Sequence, residues 1–394
     1  MTDGHTILAT ADGGSFRSVR QAGSSREERF ALGRALQHQV PWPELAAWEA
    51  TPARFDPLQL VAISHAGRVA DLVPIRVGRM ASSPYGFLRG SAVVMAADVA
   101  SLPATGVRPV ICGDAHLGNY GFYRSPEGEQ VIDMNDFDEA HPGAWEWDLR
   151  RVVASIWVAG RENGYTEDAC SDAVQACVLA YRDEVASLAT QPLLARSFNR
   201  LGVAELHASV TERSLKDEIR RAAKAARKRT SDRELPRLTT EVDGRRRIIA
   251  DPPVTTPVTA EEFDAIGAGL DDYLATIPTH WRRVVGGYRA LDAAHKVVGV
   301  GSVGLRAYVV LLEGSGADDV LFLQLKEARR SVLARFVHGD DAWHTHQGQR
   351  VVEYQQALQT VSDPLLGWTE ADGRQYYVRQ FRNMKGTVPL DSLT

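Results

Sequence analysis

The side chains able to do chemistry crowd into one stretch. Between residues 111 and 151, ICGDAHLGNYGFYRSPEGEQVIDMNDFDEAHPGAWEWDLRR, stand nine carboxylates (Asp114, Glu127, Glu129, Asp133, Asp136, Asp138, Glu139, Glu146, Asp148), two Asn and two His, set in and around two short apolar runs. Carboxylates beside apolar runs are unfavourable unless neutralised, because a buried unpaired charge is heavily penalised. A bound cation is the simplest neutraliser. The oxygen donors on offer suit a hard ion such as Mg²⁺.

The spacing is more specific than the density. Val110, Ile111 and Cys112 read as the end of a buried strand, Gly113 allows a tight turn, and Asp114 stands five residues before Asn119. Residues 120–123 and 130–132 read as a hairpin around Ser125-Pro126-Glu127-Gly128, a turn-forming sequence. Asp133 and Asp136-Phe137-Asp138 follow it. A loop offering a base and an amide oxygen, followed by a hairpin that returns a carboxylate to the same spot, meets the needs of phosphoryl transfer. Alternation along an extended chain sends Asp136 and Asp138 one way and Asp133 the other. Asp136 with Asp138 is therefore the expected metal-facing pair, and Asp133 the carboxylate that holds the turn.

A second informative stretch follows Lys296: VVGVGSVGLRAYVVLLEGSGADDVLFLQLKEA. Gly299, Gly301 and Gly304, with Ser302 between them, form GxGxxG, a weak signal by itself. A dinucleotide-binding reading requires a helix straight after the glycines, whereas residues 307–312 alternate as a strand. The pattern is a strand, a glycine turn and a strand. In residues 320–326, Leu321, Leu323 and Leu325 share one face and Phe322, Gln324 and Lys326 the other. Residues 347–362 read as a helix with Val351, Tyr354, Leu358 and Val361 on one stripe; its single acidic residue, Glu353, points off that stripe.

The first stretch resembles the aminoglycoside-phosphotransferase branch of the kinase-like fold, whose catalytic segment reads GD-x-H-x-x-N before a hydrophobic-Asp strand. From about Arg76 onward the chain also resembles an uncharacterised bacterial family, domain-of-unknown-function family 2252, in SPYGFLRG, ICGDAHLGNYGFY, NDFDE, WEWDLRR, VVGVGSVG and LQLKEA. These resemblances imply an α+β, two-lobed protein-kinase-like fold using ATP and Mg²⁺. They imply Asp114 as base, His116 as the residue that orders the loop, and Asn119 with Asp136 on the metal, Asp138 being a second or water-mediated ligand. Gly299, Gly301, Ser302 and Gly304 would cover the nucleotide phosphates, Lys326 would bind them, and Glu353 would pair with Lys326. Arg89 would hold a phosphate or a site carboxylate, Asp148 would brace the catalytic loop, and residues 376–381 would form the hinge that meets adenine. The catalytic stretch precedes the glycine loop, the reverse of ordinary kinases, so the resemblance implies a circular permutation with the catalytic helical lobe first and the glycine-loop β lobe second.

The elements around these stretches divide the chain into an arm (1–40), a helical lobe (41–250), a connector with helices (251–290) and a β lobe (291–394). Residues 148–159, 166–188, 214–229, 261–275 and 281–294 carry helical periodicity. The basic run within 214–229, with Arg245-Arg246-Arg247, reads as a solvated face. A net charge of -5 argues against nucleic acid or anionic membrane as a general partner. Three cysteines form no disulfide framework, and no apolar run is long enough to span a membrane, so a reduced, cytoplasmic protein is expected. The phosphoryl acceptor, a small molecule or a protein, stays open. Two other readings stand beside phosphotransfer. One is a catalytically silent nucleotide-binding scaffold. The other is a metallophosphoesterase built on Gly113 to His116, which His141, His295, His338, His344 and His346 do not support by spacing.

Overall fold

The computed structural model describes residues 24–297, 299, 301–337 and 344–390. Residues 1–23 of the expected arm and His338 lie outside them. The rest of that arm is a helix, Arg26–Gln39, started by a capping box between Ser25 and Glu28 and buried through Leu36.

The architecture is mixed α+β. Its strands are β1 (Val110–Ile111), β2 (Tyr120–Arg124), β3 (Gln130–Met134), β4 (His141–Pro142), β5 (Thr239–Val242), β6 (Arg245–Ile248), β7 (Thr255–Pro257), β8 (Arg289–Lys296), β9 (Ala307–Glu313), β10 (Val320–Glu327), β11 (Gly367–Ala371) and β12 (Arg374–Gln380). Six of them form an antiparallel sheet in the order β11-β12-β10-β9-β8-β7. Strand β10 is central and covered on both faces. Leu321, Leu323 and Leu325 join Val310, Tyr376 and Val378 in one core. Phe322 joins Val309 and Leu311 in another. That two-sided burial is why β10 reads as an almost unbroken apolar run ending in Lys326.

Residues 251–290, expected as a connector, belong to this sheet. Strand β7 lies at its edge, and helix Ala260–Leu274 packs Ile266, Leu270 and Tyr273 into its core. The helix expected over 281–294 ends early. Helix Thr279–Val285 stops at Gly286 and Gly287, poor helix residues, and the alanine-rich remainder becomes β8. Pairing with β9 and burial of Ala293 and Ala294 override alanine's helical preference.

The other half of the chain is built around helices Trp145–Glu162 and Glu167–Thr190. Hairpin β2–β3 packs Phe122 against Ile219, Ala223 and Ala226 of helix Arg213–Arg227. That helix turns Arg220, Arg221 and Lys224 to solvent, where two of them pair with Asp217 and Glu218. A third cluster bridges the halves: Cys112, Ala115 and Phe137 meet Val351, Tyr354 and Tyr377. Among the described residues no helix is long and apolar enough to cross a membrane.

Leu323→Ala should lower unfolding free energy by about 2–5 kcal/mol through lost burial and a residual cavity. The check is a denaturant melt with an unchanged slope and a lower midpoint; an unaltered midpoint would mean that β10 is not the centre of the core.

Candidate functional site

One helix sets the geometry of the 112–119 loop. Gly113 has a φ of 78°, and a Cβ there would collide with the Glu139 carbonyl and Leu333. The turn is therefore one that favours glycine. Asp148 in the first turn of helix Trp145–Glu162 accepts from the backbone N–H groups of Cys112 (2.6 Å) and Gly113 (2.8 Å). It braces the loop instead of capping its own helix. One turn on, Arg151 donates to Asp114 Oδ1 through Nε (2.8 Å), with Nη2 at 2.7 Å from the same oxygen. A turn beyond that, Ser155 Oγ accepts from Leu117 N–H at 2.9 Å. Asp148, Arg151 and Ser155 thus form a polar stripe at i, i+3 and i+7.

Within the loop, Asn119 Nδ2 donates to the Asp114 carbonyl at 2.7 Å. The amide is thereby oriented with Oδ1 as the group left for a cation. Burial pushes the Asp114 carboxyl up to about 6, with Arg151 opposing the rise. His116 is buried with Nε2 4.0 Å from Asp114 Oδ2. Burial, reinforced by the positive charges of Arg151 and Arg89, holds its pKa down at about 3, so the ring is neutral at ordinary pH.

Beyond the hairpin, Lys326 reaches across from the sheet. Its Nζ lies 3.0 Å from Asp138 Oδ2 and 3.6 Å from Asp136 Oδ1, and the side chain is only 5% exposed. Burial alone would favour the neutral amine, but Asp136 and Asp138 outweigh it and raise the Lys326 pKa. Burial likewise works against ionised Asp136, while Lys326 and Arg379 more than compensate and lower its pKa. Tyr377 donates to Asp138 Oδ1 at 2.6 Å, and Arg350 holds the Asp138 carbonyl at 2.8 Å. Asp136 Oδ1 is buried without a hydrogen-bond partner. An anionic oxygen left this way fits a cation ligand.

One expected pairing is not made. Glu353 accepts from His344 (2.7 Å) and Gln349 (2.8 Å), while Lys326 pairs with the hairpin carboxylates. The reason is rotational: helix Gln347–Leu358 turns Arg350, Val351 and Tyr354 inward, and Glu353 falls outside that stripe. Asp133 accepts from Met134 N–H at 2.7 Å, and burial raises its pKa to about 6.

Asp114, Asp136 and Asp138 line a cleft together with Arg89, Gly301 and Ser302. The glycine loop is therefore next to the 112–119 loop. Gly299 and Gly304 carry positive φ values of 66° and 85° at its two shoulders. The Gly304 carbonyl accepts from Val69 N–H (2.8 Å) and the Val303 carbonyl from Arg68 (2.6 Å), so the loop is held down by the segment preceding the catalytic stretch. The cavity has a volume of about 80 Å³.

A family model described as an uncharacterized protein conserved in bacteria (DUF2252) matches residues 68–394. The chain belongs to the DUF2252 family. The matched span includes every residue placed in the cleft so far. No curated protein and no solved structure is significantly similar to this DUF2252 chain. Among its described residues no group of three or more His, Cys, Asp or Glu side chains is placed to hold a metal unaided. A Mg²⁺ ion held mainly by phosphates and water needs only one or two carboxylates.

Sequence reasoning missed Arg151, Tyr377, Arg350 and the cleft residues Arg68 and Arg76. Arg151 had a signal: it sits three residues after the bracing Asp148, hence on the same helix face. The others are brought in from distant segments by tertiary packing.

Asp148→Ala should orphan two buried N–H groups and cost about 1–3 kcal/mol for each. Asp148→Asn, keeping one acceptor oxygen, should cost less. Chemical denaturation of the two variants provides the check, and equal stability to the parent would mean that the brace is dispensable.

Proposed function

We propose that this protein is an ATP-dependent phosphotransferase of circularly permuted, protein-kinase-like fold, passing the γ-phosphoryl group to a hydroxyl acceptor. The observation that carries this reading is convergence. Gly301, Ser302, Asp114, Asp136 and Asp138 line one cleft, with Lys326 bonded to its carboxylates and Asn119 to the Asp114 carbonyl, although Lys326 and Asp138 are 188 residues apart in sequence. The order β8, glycine turn, β9, Lys-bearing β10, helix Gln347–Leu358 supports a kinase-type β lobe. Because the catalytic loop comes earlier in the chain, the same parts require a permuted connection.

In this mechanism Asp114 accepts the acceptor hydroxyl proton through Oδ2, while Arg151 fixes the carboxylate by Oδ1. Asn119 Oδ1 and Asp136 Oδ1 would hold Mg²⁺, which supplies charge neutralisation to the phosphates. Lys326 would keep Asp138 and could exchange its 3.6 Å contact with Asp136 for a phosphate oxygen. The nucleoside would lie outside the small cavity. Phosphoryl transfer asks mainly for positioning and charge stabilisation, and these are what the cleft offers.

One observation favours a catalytically silent nucleotide-binding protein instead: Lys326 is paired with hairpin carboxylates, and the helix that follows β10 supplies no glutamate to it. Turnover separates the two readings. The metallophosphoesterase reading requires a cage of protein ligands and draws no support from the described residues.

ATP with Mg²⁺ should raise the melting temperature by a few degrees, since a ligand at about 100 times its Kd stabilises by roughly 2.7 kcal/mol. Lys326→Ala should shrink that ligand-induced difference, each protein being compared with its own ligand-free melt. No shift at millimolar ATP in a folded sample would remove the nucleotide reading.

With labelled ATP and an acceptor screen, Asp114→Asn should transfer phosphate about 100-fold more slowly or worse, with ATP binding retained. Only the ionised carboxylate accepts a proton, so kcat/KM should climb as pH rises through about 6 and flatten above it. A full-rate Asp114→Asn enzyme, or a rate that falls over that interval, would show that Asp114 is not the base.

A further inference from the structure

The cleft has a basic wall that the nucleotide reading leaves unused. Arg76, on helix Val73–Ala81, is 2% exposed. Its Nη2 donates to the Gly90 carbonyl at 2.7 Å, but its Nε and Nη1 are buried with no partner. Arg89, on helix Pro84–Gly90, has a buried Nε that is also without a partner. Arg68 stands beside them, donating to the carbonyls of Ser64 (3.0 Å) and Val303 (2.6 Å). All three line the same cavity as Asp114. Among the described residues neither Arg76 nor Arg89 has a carboxylate within ion-pair distance, since Asp114 is held by Arg151 and Asp138 by Lys326.

Guanidinium N–H groups buried without acceptors are costly, and like charges sharing one wall add repulsion. An anion relieves both. The planar fork of arginine matches the paired oxygens of phosphate or carboxylate better than any other side chain does. The wall also has a position relative to the chemistry. Burial raises the Asp114 pKa, and Arg151 first, then Arg89, oppose the rise, which places Arg89 within electrostatic reach of the base. Lys326 and its carboxylates, the expected seat of the nucleotide phosphates, are contributed by the sheet and the hairpin instead.

We propose that Arg76 and Arg89, supported by Arg68, seat a phosphate or carboxylate group of the phosphoryl acceptor, which is thus a small anionic molecule such as a phosphorylated sugar or a hydroxy acid. This rests on the phosphotransferase reading for the role of the ligand, though not for the existence of the anion seat.

The test titrates inorganic phosphate into the full chain alone, with Mg-ADP, and with a non-hydrolysable Mg-ATP analogue, following heat and melting temperature. Phosphate should bind in all three states, and Arg89→Gln should weaken it by about tenfold or more, as loss of a charge-assisted hydrogen bond predicts. Arg76→Gln should do the same. Because Arg76 is buried and that variant could fail to fold, the partly exposed Arg89 and the wild-type competition decide the matter. Phosphate binding that survives ADP and vanishes with the ATP analogue would overturn the proposal by assigning the arginines to the transferred phosphoryl group. No phosphate binding, or binding unchanged in a folded Arg89→Gln protein, would overturn the seat itself. Phosphate binding in a protein that nucleotides do not stabilise would instead remove the phosphotransferase reading and leave the anion seat standing.

Discussion

The buried ammonium of Lys326, held between Asp138 and Asp136, is the contact on which the rest of the arrangement depends. It ties the central strand of the sheet to the segment that follows hairpin β2–β3. A buried ion pair contributes little net stability over an apolar replacement, yet removing one partner leaves an unmatched charge at a cost of about 3–5 kcal/mol. Such a contact specifies one relative placement of its two elements more strongly than it stabilises it. Tyr377 satisfies Asp138 Oδ1 and Arg350 its backbone carbonyl, whereas Asp136 Oδ1 is buried without a hydrogen bond.

The carboxylates and arginines of the cleft divide into those that hold structure and those that are left over. Asp148 spends its hydrogen bonds on the 112–119 loop, and Arg151 divides its own between Asp114 and the Leu88 carbonyl. Glu139 accepts from Val332 N–H, and burial raises its pKa to about 7, so it is a protonatable support. Asp136 Oδ1, without a hydrogen bond and 3.6 Å from Lys326 Nζ, and the unpaired nitrogens of Arg76 and Arg89 are of opposite sign, and their residues line the same small cavity. In the proposed function the carboxylate wall would face a cation and the guanidinium wall an anion, the combination that metal-assisted phosphate chemistry uses.

The glycine loop adds a constraint of a different kind. Val69 and Arg68 fasten the carbonyls of Gly304 and Val303, and Arg79 fastens that of Gly299. Segments on either side of the catalytic stretch are thereby linked, and the loop sits low over the cavity.

Local pattern determined a good deal. Alternation in residues 320–326 assigned opposite faces to Leu323 and Phe322, and the hairpin, the glycine turn and the 145–162 helix are all legible from periodicity and turn chemistry, because each depends on neighbours in sequence. Asp114, Asn119, Asp136 and Lys326 were legible as candidates for the same reason: residue type and short spacing carry their chemistry. Tertiary structure decided the pairings. Glu353 was the only acidic residue in its helix, but the rotation of that helix against the sheet presents Arg350 inward and leaves Glu353 to His344. The alanines of 289–296 prefer a helix by themselves and form β8 only because β9 offers a partner. Arg68 and Arg76 look like ordinary surface arginines until helix packing buries them against the cleft, since burial of a charge is a property of the assembled chain and not of its local sequence.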